Sequence, residues 1–199
     1  MAFTAQDVKK LREMTNVGMM DCKKALQATD GDMDKAVDWL REKGLAKAAK
    51  KADRIAAEGV AYATVVGGVG VVIEVNSETD FAAKTDSFMD LVKNLAVVVA
   101  EQNPADVEAL KACTYPNSNL TVTEIMQEKV MSIGENMQIR RFARFAENTS
   151  VAYVHAGGSH GVLVNLAVEG DIDATEIGKN VAMQIAAMKA QYWDKSLVP

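Results

Sequence analysis

Gly157-Gly158-Ser159-His160-Gly161 has the Gly-x-Ser-x-Gly spacing of a nucleophile elbow, in which a strained strand-to-helix turn lifts a serine hydroxyl toward a substrate carbonyl. That chemistry needs a helix directly after the turn and a histidine further on to take the proton. Here a β-prone run follows and no histidine lies beyond residue 160, so covalent catalysis is not expected. Gly67-Gly68-Val69-Gly70 has the glycine density of a phosphate cradle but no Lys-Ser/Thr after it, and reads as a hairpin turn. With two histidines, and with Cys22 and Cys113 as the only cysteines, neither a disulfide framework nor a four-ligand zinc site is available. The carboxylates are spaced as on solvated helix faces, so no metal and no cofactor is expected. What remains is the run from Glu74 to Phe81, Glu-Val-Asn-Ser-Glu-Thr-Asp-Phe, where an apolar strand runs out into polar residues and ends on an aromatic ring beside a carboxylate. That ring has nothing local to pack on. The chemistry it suits is recognition of a partner.

These residues must be positioned by elements that the sequence outlines. Thr4 is placed to cap a helix over residues 5–14, with Asp7 answering at the third helical position, and Val8 and Leu11 share its inner face. After Thr15-Asn16-Val17-Gly18, the positions Met19, Cys22, Ala25 and Leu26 recur at helical spacing until Asp30-Gly31. Asp32 opens a third helix with Met33, Ala36, Val37 and Leu40 as its stripe and Trp39 off it, and Gly44 is expected to end it. Residues 45–54, rich in Ala and Lys, read as a helical linker.

The body starts with a hairpin, 60–66 and 69–75, around Gly67-Gly68. Helices are expected over 86–100, where Phe88, Leu91, Val92, Leu95, Ala96 and Val99 share a side, and over 107–112 and 123–133. Residues 138–146 alternate as a strand does. A second hairpin, 150–155 and 161–168, and a last helix over 175–190 with Ile177, Val181, Ile185 and Met188 repeat the pattern of hairpin plus helix. The expected fold class is α+β: an N-terminal three-helix module with its linker over 1–54, then two related subdomains at 55–147 and 148–199.

No apolar run reaches the roughly 18 residues of a membrane span, and the N-terminal segment lacks a signal-peptide pattern, so a cytoplasmic protein is expected. Up to Arg54 there are twelve basic and nine acidic residues, against ten and eighteen beyond it. A surplus of three positive charges is small beside the clusters that drive phosphate binding, and residues 46–54 carry no aromatics, so direct nucleic-acid binding is not expected.

Four blocks in order carry a resemblance over essentially the whole chain. They are Leu11-Arg12-Glu13 with Gly18-Met19-Met20-Asp21-Cys22-Lys23-Lys24-Ala25-Leu26, then Lys47-Ala48-Ala49-Lys50-Lys51-Ala52, then Glu74 to Phe81, and Ile133-Gly134-Glu135-Asn136 followed by Ile139-Arg140-Arg141. The chain resembles the elongation factor Ts family, whose members exchange guanine nucleotide on the GTPase elongation factor Tu. The resemblance implies a ubiquitin-associated-type head and a wedge, Thr79-Asp80-Phe81-Ala82, that intrudes on the magnesium side of the GTPase nucleotide site. Ala82 stands where relatives usually have valine, which makes that contact smaller. It further implies that Ile133 and His155 pack beside the wedge, and that Arg12, Met19, Met20 and Lys23 let the head grip the partner. Relatives of this kind continue past the last helix. The chain therefore looks C-terminally short, and either self-association into a homodimer or a longer natural chain is expected. The competing expectation is an adaptor whose three-helix head binds a protein partner while the body is structural.

Overall fold

The computed structural model describes residues 3–15, 17–192 and 194–199; Asn16, in the expected break after the first helix, lies outside them. The chain folds into two compact units, Met1–Ile55 with Thr123–Met137, and Ala56–Val122 with Gln138–Pro199. Helices and antiparallel hairpins together give the α+β class.

In the first unit the helices are α1 (Ala5–Thr15), α2 (Met19–Ala28) and α3 (Met33–Lys51). The expected capping box forms: the Asp7 amide donates to Thr4 Oγ1 at 3.3 Å while the Thr4 amide donates to Asp7 Oδ2 at 2.7 Å. Asp32 caps α3 by accepting from the Lys35 amide at 3.0 Å. Val8, Leu11, Val17, Cys22, Ala25, Leu26, Ala36 and Leu40 form the core. Trp39, expected off the stripe, packs partly buried against it. Burial raises the Cys22 thiol above its ordinary pKa, so it is a core side chain and not a nucleophile.

Gly44 does not end the third helix. The helix runs seven residues further, to Lys51, so that most of the expected linker is its C-terminal end. Gly44 is buried instead, and a Cβ there would lie 3.4 Å from Met131 Sδ. This face of α3 is covered by α7 (Val122–Ile133), and Met131 joins the core. Two more links hold this segment within the unit: Arg41 Nε donates to Glu128 Oε1 at 3.2 Å, and Asn136 Nδ2 donates to the Arg54 carbonyl at 2.8 Å. Residues 123–137 thus pack with the three helices and not with the body in which the sequence reading had put them.

The second unit is built on β1 (Glu58–Val66) and β2 (Val69–Ser77), joined through Gly67 and Gly68 at φ of 56° and 86°, values that favour glycine. The strand β3 (Met137–Phe145) adds to β2, giving the order β1-β2-β3. The short α4 (Asp80–Ala83) and the longer α5 (Asp86–Gln102) pack on this hairpin, with Phe88, Leu91, Val92, Leu95, Ala96 and Val99 all buried, as the helical spacing predicts. α6 (Val107–Ala112) follows. The second hairpin, β4 (Thr149–His155) and β5 (His160–Leu166), packs on β1 and is covered by α8 (Thr175–Met188).

α8 sits on its hairpin through small residues, Gly178, Ala182 and Ala186; a Cβ on Gly178 would lie 2.5 Å from Val151 Cγ2. Its larger apolar residues Ile177, Val181 and Met188 consequently face outward, with Ile185 half-buried. No helix among the described residues is long and apolar enough to cross a membrane.

Candidate functional site

The run after β2 is held by a sequence of caps. Asn76 Nδ2 donates to the Glu58 carbonyl at 3.0 Å, and the fully buried Ser77 donates through its hydroxyl to the Thr79 carbonyl at 2.9 Å. Thr79 then caps α4, accepting from the Ala82 amide at 3.2 Å. Thr85 closes the other end: its hydroxyl donates to the Ala82 carbonyl at 2.8 Å and accepts from the Phe88 amide to start α5.

A single helical turn pinned at both ends has only two outward positions. Ala82 and Ala83 are buried, so Asp80 and Phe81 are turned away, and the Phe81 ring is 80% exposed. No other described large apolar side chain in the first 150 residues, apart from Ile55, is so exposed. Ala82 was expected to be part of the contact surface. At 6% exposure in the free chain it lies on the inner side of the turn.

Beside the ring, Lys84 donates to Asp80 Oδ2 at 2.6 Å. This hydrogen bond holds the Asp80 carboxyl below its ordinary pKa, so the group is ionised at neutral pH. Lys84 was not picked out from the sequence, although its i,i+4 spacing from Asp80 is the usual helical pairing.

A cleft of about 820 Å³ runs from Asp80 and Lys84 past Glu74 and Arg141 to the β4–β5 turn at Gly157 to Gly161. Arg141 Nε donates to Glu74 Oε2 at 2.7 Å on its rim. The turn is a tight 3₁₀ bend, Ala156–Gly158, between two antiparallel strands, so Ser159 leads into a strand and not into the helix that an elbow requires. His155 is exposed at the end of β4, with its Nδ1 2.8 Å from the Tyr153 hydroxyl.

The second unit therefore contains Thr79, Asp80, Phe81, Ala82 and His155, while Arg12, Met19, Met20, Lys23 and Ile133 belong to the first. There, Met19 and Met20 are 43% and 63% exposed at the start of α2, and Arg12 and Lys23 are exposed beside them in sequence. Two adjacent thioethers outside the core form a soft, adaptable surface. Ile133 is half-buried at the end of α7. Three neighbouring residues were not assigned to the site from the sequence: Lys84, which pairs with Asp80, and two from the rejected elbow motif, His160, which pairs across the strands with His155, and Gly158, where an added Cβ would meet Val60.

Residues 78–199 match the family model described as Elongation factor TS. The whole chain is similar to a curated protein named Elongation factor Ts from Magnetococcus marinus, with 46% identity over 201 residues. The chain spans 66% of the length of that relative.

Proposed function

The chain belongs to the elongation factor Ts family, and on that footing we propose that it binds elongation factor Tu carrying GDP and promotes release of the nucleotide. Its place in this reading is translation elongation in the cytoplasm. The observation that carries the reading is Phe81: a large apolar ring held in water by a turn that is pinned on both sides. Such a ring gains free energy only when something outside the chain covers it.

The mechanism needs no covalent step and no cofactor. The GTPase would hold exchange factor and nucleotide with unfavourable coupling, and because coupling is reciprocal, a factor that weakens nucleotide binding is weakened by the nucleotide to the same extent. Burying Phe81 supplies roughly 1.5 to 3 kcal/mol. Each tenfold loss of nucleotide affinity takes about 1.4 kcal/mol, so the ring accounts for one or two decades. In this reading Phe81 and Asp80 disturb the magnesium and phosphate side of the nucleotide site, Thr79 and Ala82 hold them out, and His155 and Ile133 add contacts. The first unit acts as a ubiquitin-associated-type grip through Arg12, Met19, Met20 and Lys23. A division of the body into one subdomain over 55–147, less the residues 123–137 that join the first unit, and a second over 148–199 belongs to the same proposal.

Release of fluorescent GDP from elongation factor Tu, followed with increasing amounts of this protein, tests the reading. Acceleration that saturates is expected. An unchanged release rate at saturating protein would instead favour an adaptor that uses its three-helix unit alone.

The outward apolar face of α8 also supports self-association. Sedimentation equilibrium at micromolar concentration is expected to give a mass above that of one chain, and a single-chain mass at every concentration would remove this part.

A further inference from the structure

His155 and His160 are register partners across β4 and β5, so both imidazoles rise from one face of the hairpin, with ring centroids 6.1 Å apart. Their inner nitrogens are already engaged. Ser159 Oγ donates its only proton to the His155 carbonyl at 3.2 Å, and the same oxygen lies 3.0 Å from His160 Nδ1. Where the serine proton goes to that carbonyl, the oxygen accepts from His160 Nδ1–H and Nε2 keeps its lone pair. On the other ring, His155 Nδ1 lies 2.8 Å from the Tyr153 hydroxyl, whose oxygen can accept in the same sense.

A neutral imidazole with Nδ1–H tied to an oxygen and Nε2 bare is the form in which histidine ligates a metal, the outer hydrogen bond fixing tautomer and orientation. With a metal to nitrogen distance of 2.0 to 2.1 Å, two imidazoles on one ion place their ring centroids about 5 to 6.5 Å apart. The observed 6.1 Å lies at the wide end of this range, so a tetrahedral ion draws the rings about 1 Å closer by side-chain rotation.

We propose that His155 and His160 form a surface site for one borderline divalent transition cation, zinc or nickel, bound through Nε2 of each ring, with Tyr153 and Ser159 as positioning residues. Imidazole donors select this class over magnesium or calcium, which take oxygen ligands. Among the described residues no group of three or more His, Cys, Asp or Glu is gathered to hold a metal, so water completes the coordination and the ion is exchangeable. Thiol competition is small: Cys22 is buried, and desolvation raises the pKa of Cys113 and keeps it protonated. An ion here occupies the ring that the exchange reading assigns to the GTPase contact. That consequence rests on the exchange reading, and the binding itself does not.

Binding is therefore measured on the tag-free protein alone, by calorimetric titration with Zn²⁺ and with Ni²⁺, with thermal melts to confirm that each variant is folded. One ion per chain is expected, with His155→Gln and His160→Gln each weakening it by at least about tenfold. Tyr153→Phe should weaken it less, while the zinc-induced shift of the His160 Nε2 resonance persists. No binding up to millimolar metal, binding unchanged in both histidine variants, or loss in one variant only would each overturn the paired site.

Discussion

Phe81→Ala is expected to lower the stimulated rate of GDP release from elongation factor Tu by roughly 10- to 100-fold at subsaturating protein, while the melting temperature of the free protein stays within about 1 °C of the parent. The first figure follows from the 1.5 to 3 kcal/mol that a phenyl side chain contributes when it passes from water to a covered site. The second follows from its environment. At 80% exposure the ring gives the fold almost nothing, and the caps that hold the turn come from Thr79 and Thr85, which the substitution leaves alone. The pair of measurements separates two accounts. A ring kept for a partner loses function and no stability, whereas a ring stapled to its own helix loses stability first. A lowered melting temperature with unchanged exchange would end the wedge reading.

What the sequence made legible was local. The caps at Thr4 and Asp32, the turn at Gly67-Gly68 and the buried face of α5 are set by residues within one or two turns of each other, and all stand as expected. The same locality exposed Phe81, since an aromatic ring after a polar run has no neighbour at i±3 or i±4 to cover it. Gly44 shows where such reading stops. A glycine that ends a helix and one that lies inside it under a second helix are identical in one dimension, and only Met131, 87 residues on, distinguishes them. α8 posed the reverse problem. Ile177, Val181 and Met188 look like a core stripe, but the hairpin below takes only Gly178, Ala182 and Ala186, because Val151 already fills the space. Around the site, Ala82 faces inward because of caps on both sides, and the partnership of His155 with His160 depends on the strand register, which no spacing rule alone supplies.

Gly158→Ala should destabilise the second unit by about 2 to 4 kcal/mol, combining the cost of a side chain in a left-handed backbone with overpacking against a neighbour. The residue has φ of 105°, and a Cβ added to it would lie 2.6 Å from Val60 Cγ1 and 3.3 Å from Val60 Cβ. Relief is not available by rotation, because Val60 is β-branched, buried, and fixed in β1 opposite Val75. The turn must lift, and with it the end of β4 that carries His155. For a chain of this size each kcal/mol lowers the melting temperature by roughly 2 to 4 °C, so a drop of about 5 to 15 °C is expected. Gly157→Ala is the internal control. Its φ of 68° is also left-handed, but nothing lies within 4 Å of an added Cβ, so only the backbone cost of about 1 to 2 kcal/mol remains. Thermal melts of the two variants side by side decide the matter: the larger loss belongs to residue 158 if close contact of the turn with β1 fixes it, and equal losses would reduce the role of both glycines to backbone freedom alone.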